Sequence, residues 1–264
     1  MKIAIIGTGN LGSSIAKGLI NNKSFTSLYL ADKNTANVDV YKNEANVTIT
    51  NDNALAVAKS DMVIFALQPK HINAVLESVS AIITDKHIII SVAAGVEIPR
   101  IEGIIGKDKN IIRVMPNTAI SIGKSMTCIA ANNKAQDKVG LAQEVFNQLG
   151  TTLVIPEDLI QAATVICASG IAFWMRLVRA TTQGAIQLGF EAHEAHQLAT
   201  QTCYGAASLL LESGRHPEQE IDRVTTPSGC TIEGLNAMEH QGLSSALIQG
   251  IVASFEKINQ IKKN

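Results

Sequence analysis

The sequence predicts an α/β chain in two parts: a doubly wound parallel sheet over residues 1–155 and an all-α region over residues 156–264. Three observations predict it. Short apolar runs alternate with helical patterns through the first half, the mark of a parallel sheet covered by helices. The first of these runs passes straight into a glycine-rich stretch, Gly7 to Gly12. After Pro156-Glu157-Asp158 the strand signals stop and long helical patterns take over, so the period changes near Pro156.

Composition narrows the function. The chain has 264 residues, of which 46% are hydrophobic, enough for a sizeable core. Lys plus Arg is 22 and Asp plus Glu is 23, with no basic block, which argues against nucleic-acid binding. The four cysteines (Cys128, Cys167, Cys203, Cys230) are far apart in sequence and form no C-x-x-C pair. Neither a zinc site nor a disulfide scaffold is expected, and a reducing cytoplasm fits. Lys2 leads at once into a strand, so no signal peptide is expected. The long uncharged run Leu159 to Met175 is short and polar for a membrane span. The better expectation is a helix buried on all sides, between subunits.

The elements of the first half follow in order. Lys2 to Ile6 is a strand, Gly7-Thr8-Gly9-Asn10-Leu11-Gly12 a turn, and Ile15, Leu19 and Ile20 mark the following helix. Strand, glycine turn and helix are the context that G-x-G-x-x-G needs in a dinucleotide site. Gly7 permits the tight turn, Gly9 lets the backbone approach a pyrophosphate, and Gly12 lets helix and strand pack closely. Ser27 to Ala31 is a second strand ending in Asp32-Lys33. Asp32 would bond the adenine ribose hydroxyls and favour NAD; Lys33 would instead meet a 2′-phosphate; a solvated turn is the third reading. Val47 to Thr50 is a third strand. Asn53 opens the helix Ala54 to Lys59, either as its cap or in contact with the cofactor ribose. Asp61 to Leu67 is a fourth strand, buried on both faces and ended by Gln68-Pro69 where a cofactor would lie. His87 to Val92 and Ile111 to Met115 are the fifth and sixth. Asn117, on the loop after the sixth, either lines a nicotinamide pocket or makes a structural turn. Met126 to Ala130 and Thr152 to Ile155 flank a helix from Lys134 to Leu149.

The second half reads as helices from Leu159 to about Leu188, from Glu191 to Glu212, and from Ser228 to the end. They are rich in small residues and several lack a clean polar face, so they make a thin core alone and a dimer is inferred. His193-Glu194-Ala195-His196 misses the H-E-x-x-H spacing by one residue, and no third ligand is evident, so no metal is expected. Within Val224 to Glu239, Pro227-Ser228-Gly229-Cys230-Thr231 opens a helical pattern through Ile232, Leu235 and Met238, with Leu243 and Leu247 beyond a short break. Small residues at a helix start expose N–H groups that bind anions; a simple cap is the bland alternative. Cys230 reads as a small liner of that site.

Several stretches together carry a family resemblance: G-T-G-N-L-G, Ser91 to Val96, Arg113 to Thr118, Leu209 to Pro217, and above all Asp222 to Glu239. The chain resembles the pyrroline-5-carboxylate reductases. The resemblance implies a Rossmann domain with a helical dimerisation domain, NADPH or NADH as hydride donor, and reduction of 1-pyrroline-5-carboxylate to L-proline. It implies interlocked homodimers, in some members assembled into decamers. It maps cofactor contacts to Ile6, Gly7, Thr8, Gly9, Asn10, Leu11, Asn53, Ala66, Leu67, Gln68 and Pro69, and substrate contacts to Gly229, Cys230 and Thr231. The Thr231 hydroxyl would bond the ring nitrogen. The chain departs from the family at Ala119 and Ile171, usually Pro; at Ala168 and Ser228, usually Gly; at Cys230, usually Thr; and at Gln68, usually Lys. Three other readings stand beside this one. A diverged enzyme would reduce another cyclic imine. A β-hydroxyacid dehydrogenase needs a helical Lys, and residues 156–256 contain none. A nucleotide-sensing module would need the glycine loop but no anion clamp.

Overall fold

A computed structural model describes residues 1–263. Among the described residues eight strands form one sheet: β1 (Lys2–Ile6), β2 (Ser27–Ala31), β3 (Val47–Thr50), β4 (Met62–Phe65), β5 (Ile88–Ser91), β6 (Asn110–Met115), β7 (Ser125–Ala131) and β8 (Gly150–Val154). Their order across the sheet is β3-β2-β1-β4-β5-β6-β7-β8. Successive side chains on a strand point to opposite faces. On β1, Ile3 and Ile5 therefore join one core and Ala4 and Ile6 another. The first core takes Ile15 and Leu19 from α1 (Asn10–Asn22) and Val145 and Phe146 from α5 (Val139–Phe146). The second takes Val57 from α2 (Asn53–Ala58), Ile72 and Leu76 from α3 (Pro69–Val79), and Ile101 from α4 (Ile98–Ile105). Burial on both faces explains why these strands read as unbroken apolar runs.

The sheet departs from the expected all-parallel arrangement at one edge. β1 to β6 are mutually parallel, but β7 runs antiparallel to β6, and β8 is parallel to β7. The cause is the connection. Only a short loop with a 3-10 turn (Thr118–Ile122) joins β6 to β7, and a parallel return needs a crossover of a dozen or more residues. The helix expected from Lys134 to Leu149 is α-helical only in α5; 3-10 turns at Asn133–Lys138 and Asn147–Leu149 flank it. The Asn132 side chain accepts from Ala135 N–H at the near end, and Gly150 with φ 147° stops the far end.

Beyond the sheet, the stretch expected as one helix from Leu159 is three segments: α6 (Ile160–Ala163), a π-helical turn (Thr164–Ser169) and α7 (Gly170–Gln187). Then come α8 (Ala192–Ser213), α9 (Pro217–Val224), α10 (Cys230–His240) and α11 (Leu243–Lys263). The helical stretch expected from Ser228 to the end is two helices, and the short break expected before Leu243 falls at Gln241-Gly242, where Gly242 takes φ 77°. α9 was not expected, although its signals are present: Pro217 at the first turn and a capping box between His216 and Gln219.

The chain divides into two compact units, residues 1–168 with the end of α11 from Ile258, and residues Ser169–Lys257. The pattern change at Pro156 marks the end of the sheet, while Ile160 and Val165 beyond it are still buried within the first unit. In the second unit α7 and α8 pack on each other, and burial is confined to Gly170, Thr182, Ala195 and Ala199. Large apolar side chains there face outward, among them Trp174 (60% exposed), Met175 (65%) and Leu211 (86%).

Candidate functional site

The strand order reverses between β1 and β4, and in open α/β sheets ligands bind outside the carboxyl ends of the strands at such a point. Gly7 to Gly12 leaves β1 at that point, and Ala66 to Pro69 leaves β4. The two segments touch. A Cβ on Gly7, whose φ is 97°, would lie 2.5 Å from the Ala66 oxygen. A Cβ on Gly12 would lie 1.9 Å from the Gly7 oxygen and 3.2 Å from the Ala66 Cβ. Both glycines are therefore fixed by packing. Gly9 differs: a Cβ there would meet nothing within 4 Å. It caps α1 with no side chain bonded to the helix start, leaving the first N–H groups and an open backbone for a phosphate. The cradle fits a dinucleotide pyrophosphate.

Asp32 sits at the end of β2 and turns toward this loop. Its Oδ2 accepts from Thr8 N–H at 2.6 Å and its Oδ1 from Asn34 N–H at 3.0 Å. The Asn37 amide donates to the Thr8 carbonyl at 3.0 Å, so the Thr8 residue is held on both sides. Asn51 donates to the carbonyls of Asp32 and Lys33 and fixes that turn. Lys33 itself is exposed. Asp32 therefore has a structural task as well as its place at the strand end, and Asn37 and Asn51 are the supports that sequence reading missed. The cap expected at Asn53 is instead Asp52, which is extended and accepts from Leu55 N–H at 3.0 Å. Asn53 is the first helical residue, and its side chain is not used in capping. Gln68 takes the extended cap position of α3, exposed, with Pro69 in the first turn where its missing N–H costs nothing. Asn117 is buried and fully engaged. Its Oδ1 accepts from Ala119 N–H at 3.0 Å, its Nδ2 donates to the Cys167 carbonyl at 3.0 Å, and its N–H donates to Ser125 Oγ.

One buried charge was also missed. Arg113 on β6 is 1% exposed, and its Nη1 lies 3.4 Å from Glu157 Oε1. The same oxygen accepts from Ile98 N–H at 2.6 Å, at the start of α4. Burial lowers the Arg113 pKa and the Glu157 carboxylate opposes that shift. The pair ties the first residues after the sheet to β6 and α4.

In the second unit, α10 begins at Cys230 with Gly229 as its cap, and no side chain is bonded to that start. Three N–H groups were expected there for an anion. The Gly229 N–H is already used, donating to the Thr226 carbonyl at 2.9 Å, which leaves those of Cys230 and Thr231. Gly229 contributes its lack of a side chain: a Cβ would lie 2.4 Å from Thr226 Oγ1. Among the described residues the Thr231 hydroxyl has no hydrogen bond within the chain, and Cys230 is exposed. Ser228 takes φ 55°, a left-handed conformation that favours glycine. No group of three or more His, Cys, Asp or Glu side chains gathers anywhere among the described residues, and His193 and His196 are exposed on the first turns of α8.

Comparison with known proteins agrees with both halves. Residues 157–261 match the family described as pyrroline-5-carboxylate reductase dimerisation, and residues 2–95 match NADP oxidoreductase, coenzyme F420-dependent. Pyrroline-5-carboxylate reductase 1 of Dictyostelium discoideum is 45% identical over 97% of this chain, which spans about half, 49%, of that relative. Pyrroline-5-carboxylate reductase 2 of the same organism is 41% identical, with 97% of this chain and 91% of the relative covered. A solved pyrroline-5-carboxylate reductase from Coxiella burnetii superposes with a TM-score of 0.93 at 30% identity, over 98% of this chain and 97% of that one.

Proposed function

The chain belongs to the pyrroline-5-carboxylate reductase family, and we propose that it reduces 1-pyrroline-5-carboxylate to L-proline with a nicotinamide cofactor, the last step of proline synthesis. The observation that carries this reading is the start of α10, which no side chain caps, with two unused N–H groups and a free hydroxyl. The N–H groups of Cys230 and Thr231 hold the substrate carboxylate, helped by the positive end of the helix dipole. The Thr231 hydroxyl bonds the ring nitrogen. That bond strengthens as the nitrogen gains a lone pair, so it favours the transition state over the bound substrate. The bound nicotinamide supplies the hydride to the C=N carbon. The chain's remaining task is to position the reactants, because a protonated imine is already a good acceptor.

The cofactor's pyrophosphate rests on the backbone from Ile6 to Gly12. Ala66, Leu67, Gln68 and Pro69 line it from the end of β4, Asn53 meets a ribose, and Asn117 supports the nicotinamide side through the loop it pins. Asp32 opposes a 2′-phosphate and Lys33 attracts one, so both NADPH and NADH serve. The second unit buries its apolar faces against a second copy in a homodimer, and the enzyme works in the cytoplasm. Purified protein mixed with pyrroline-5-carboxylate and either cofactor tests the reading. Loss of NAD(P)H absorbance with matching formation of proline is expected; no turnover with either cofactor, in protein shown to be folded, overturns it.

A further inference from the structure

Two cysteines far apart in sequence meet in the structure. Cys128 lies on β7 and Cys167 in the π-helical turn, both in the first unit, with their sulfurs 4.0 Å apart. Their surroundings are apolar: Met115, Ala130, Ile160 and Ala163 belong to the same cluster. Cys128 is buried and Cys167 is partly open. We propose that Cys128 and Cys167 form a site of reversible oxidation that closes to a disulfide in response to a hydroperoxide.

The geometry favours this over two inert core thiols. A disulfide needs the sulfurs at about 2.05 Å, and each sits one rotatable bond from its backbone. Cys167 also lies in a π-helical turn, an irregular element frequent at functional sites. The contact also assigns the roles. Its hydrogen bond to Cys128 lowers the Cys167 pKa; the same contact, with burial, raises that of Cys128. Cys167, the more accessible residue of the two, is the one assigned to react first as thiolate. Its sulfur attacks one peroxide oxygen; the S–O bond forms, the O–O bond breaks, and the leaving oxygen departs as water after taking a proton. The Cys128 sulfur then attacks the Cys167 sulfenic sulfur. The S–S bond forms, the S–O bond breaks, and hydroxide leaves with the Cys128 proton as water. Two thiols lose two electrons and one hydrogen peroxide becomes two waters. The bridge ties β7 to the turn whose Cys167 carbonyl holds the Asn117 amide.

The test uses the full reduced protein, treated with hydrogen peroxide and mapped by peptide mass spectrometry. A Cys128–Cys167 bridge is expected, with Cys203 unpaired, reversed by dithiothreitol. The bridged protein should melt higher by about 3–10 °C. In Cys128→Ala, Cys167 should stop at a sulfenic acid that dimedone traps. In Cys167→Ser, Cys128 should give neither bridge nor adduct. The proposal is overturned if both thiols stay free while Cys230 is oxidised, if either goes to the sulfinic acid without bridging, or if the bridge forms only after unfolding.

Discussion

The sheet unit and the helical unit use similar residues in opposite ways. On β1, β4, β5 and β6 almost every side chain is buried, and two cores of the same chain cover the two faces. On α7 to α11 the apolar residues are as plentiful, yet burial in the second unit reaches only small side chains such as Gly170, Ala195 and Ala199. Trp174, Met175, Leu188 and Leu211 lie mostly in the open. An exposed apolar surface of this extent marks an interaction face. The first unit completes its own core; the second presents a core cut in half. The same contrast holds at the two candidate sites. The glycine loop is supported from all sides by Asp32, Asn37 and Ala66, while the start of α10 has no capping side chain.

Substitutions sharpen this contrast in order of expected effect. Trp174→Glu combined with Met175→Glu puts two charges on the outward face of α7, at a cost on the order of 3 kcal/mol or more if a second copy covers it. Sedimentation should then show monomers and activity should fall at least about 100-fold, while the first unit still binds cofactor. Gly12→Ala attacks the other unit. Its methyl group cannot fit beside the Gly7 oxygen, so a destabilisation of roughly 1–3 kcal/mol and loss of cofactor binding are expected, read by denaturation and by fluorescence titration. Gly9→Ala, at the open position, should weaken cofactor binding with little change in stability.

Thr231→Ala leaves both cores intact. One hydrogen bond on the order of 1–3 kcal/mol should be lost, a roughly 5- to 150-fold fall in kcat/KM carried mostly by kcat. Asp32→Ser should shift the ratio of kcat/KM toward NADPH by about tenfold; an unchanged ratio would show that the carboxylate serves only Thr8 and Asn34. The smallest effect belongs to Ser228→Gly. Relief of its left-handed backbone should stabilise the turn by about 1 kcal/mol, seen as a modest rise in Tm. Gly229→Val is a poorer probe, because its side chain would strike Thr226 before any substrate does.

The sheet was legible because burial on both faces leaves a simple trace. All eight strands lie within a few residues of where apolar runs predicted them, and Gly7, Gly9 and Gly12 have the three different environments that their spacing implied. The reversal at β7 was not legible from composition; it follows from the length of one connection. The cap at Asp52 rather than Asn53 was lost in a run of neighbouring polar residues, any of which suits a cap. The Arg113–Glu157 pair and the Cys128–Cys167 contact join residues far apart in sequence, which no local pattern records. At α10 the helix start was legible, but the use of the Gly229 N–H by Thr226 was not, since it depends on the turn that Ser228 makes.

The contrast between a self-sufficient unit and a half-core rests most directly on the state of assembly. Sedimentation velocity of the purified chain, run from high concentration down to about micromolar with activity assayed on the same samples, measures it. The account predicts a species of at least twice the chain mass throughout, with constant specific activity. A monomer at micromolar concentration that retains full reductase activity would contradict it.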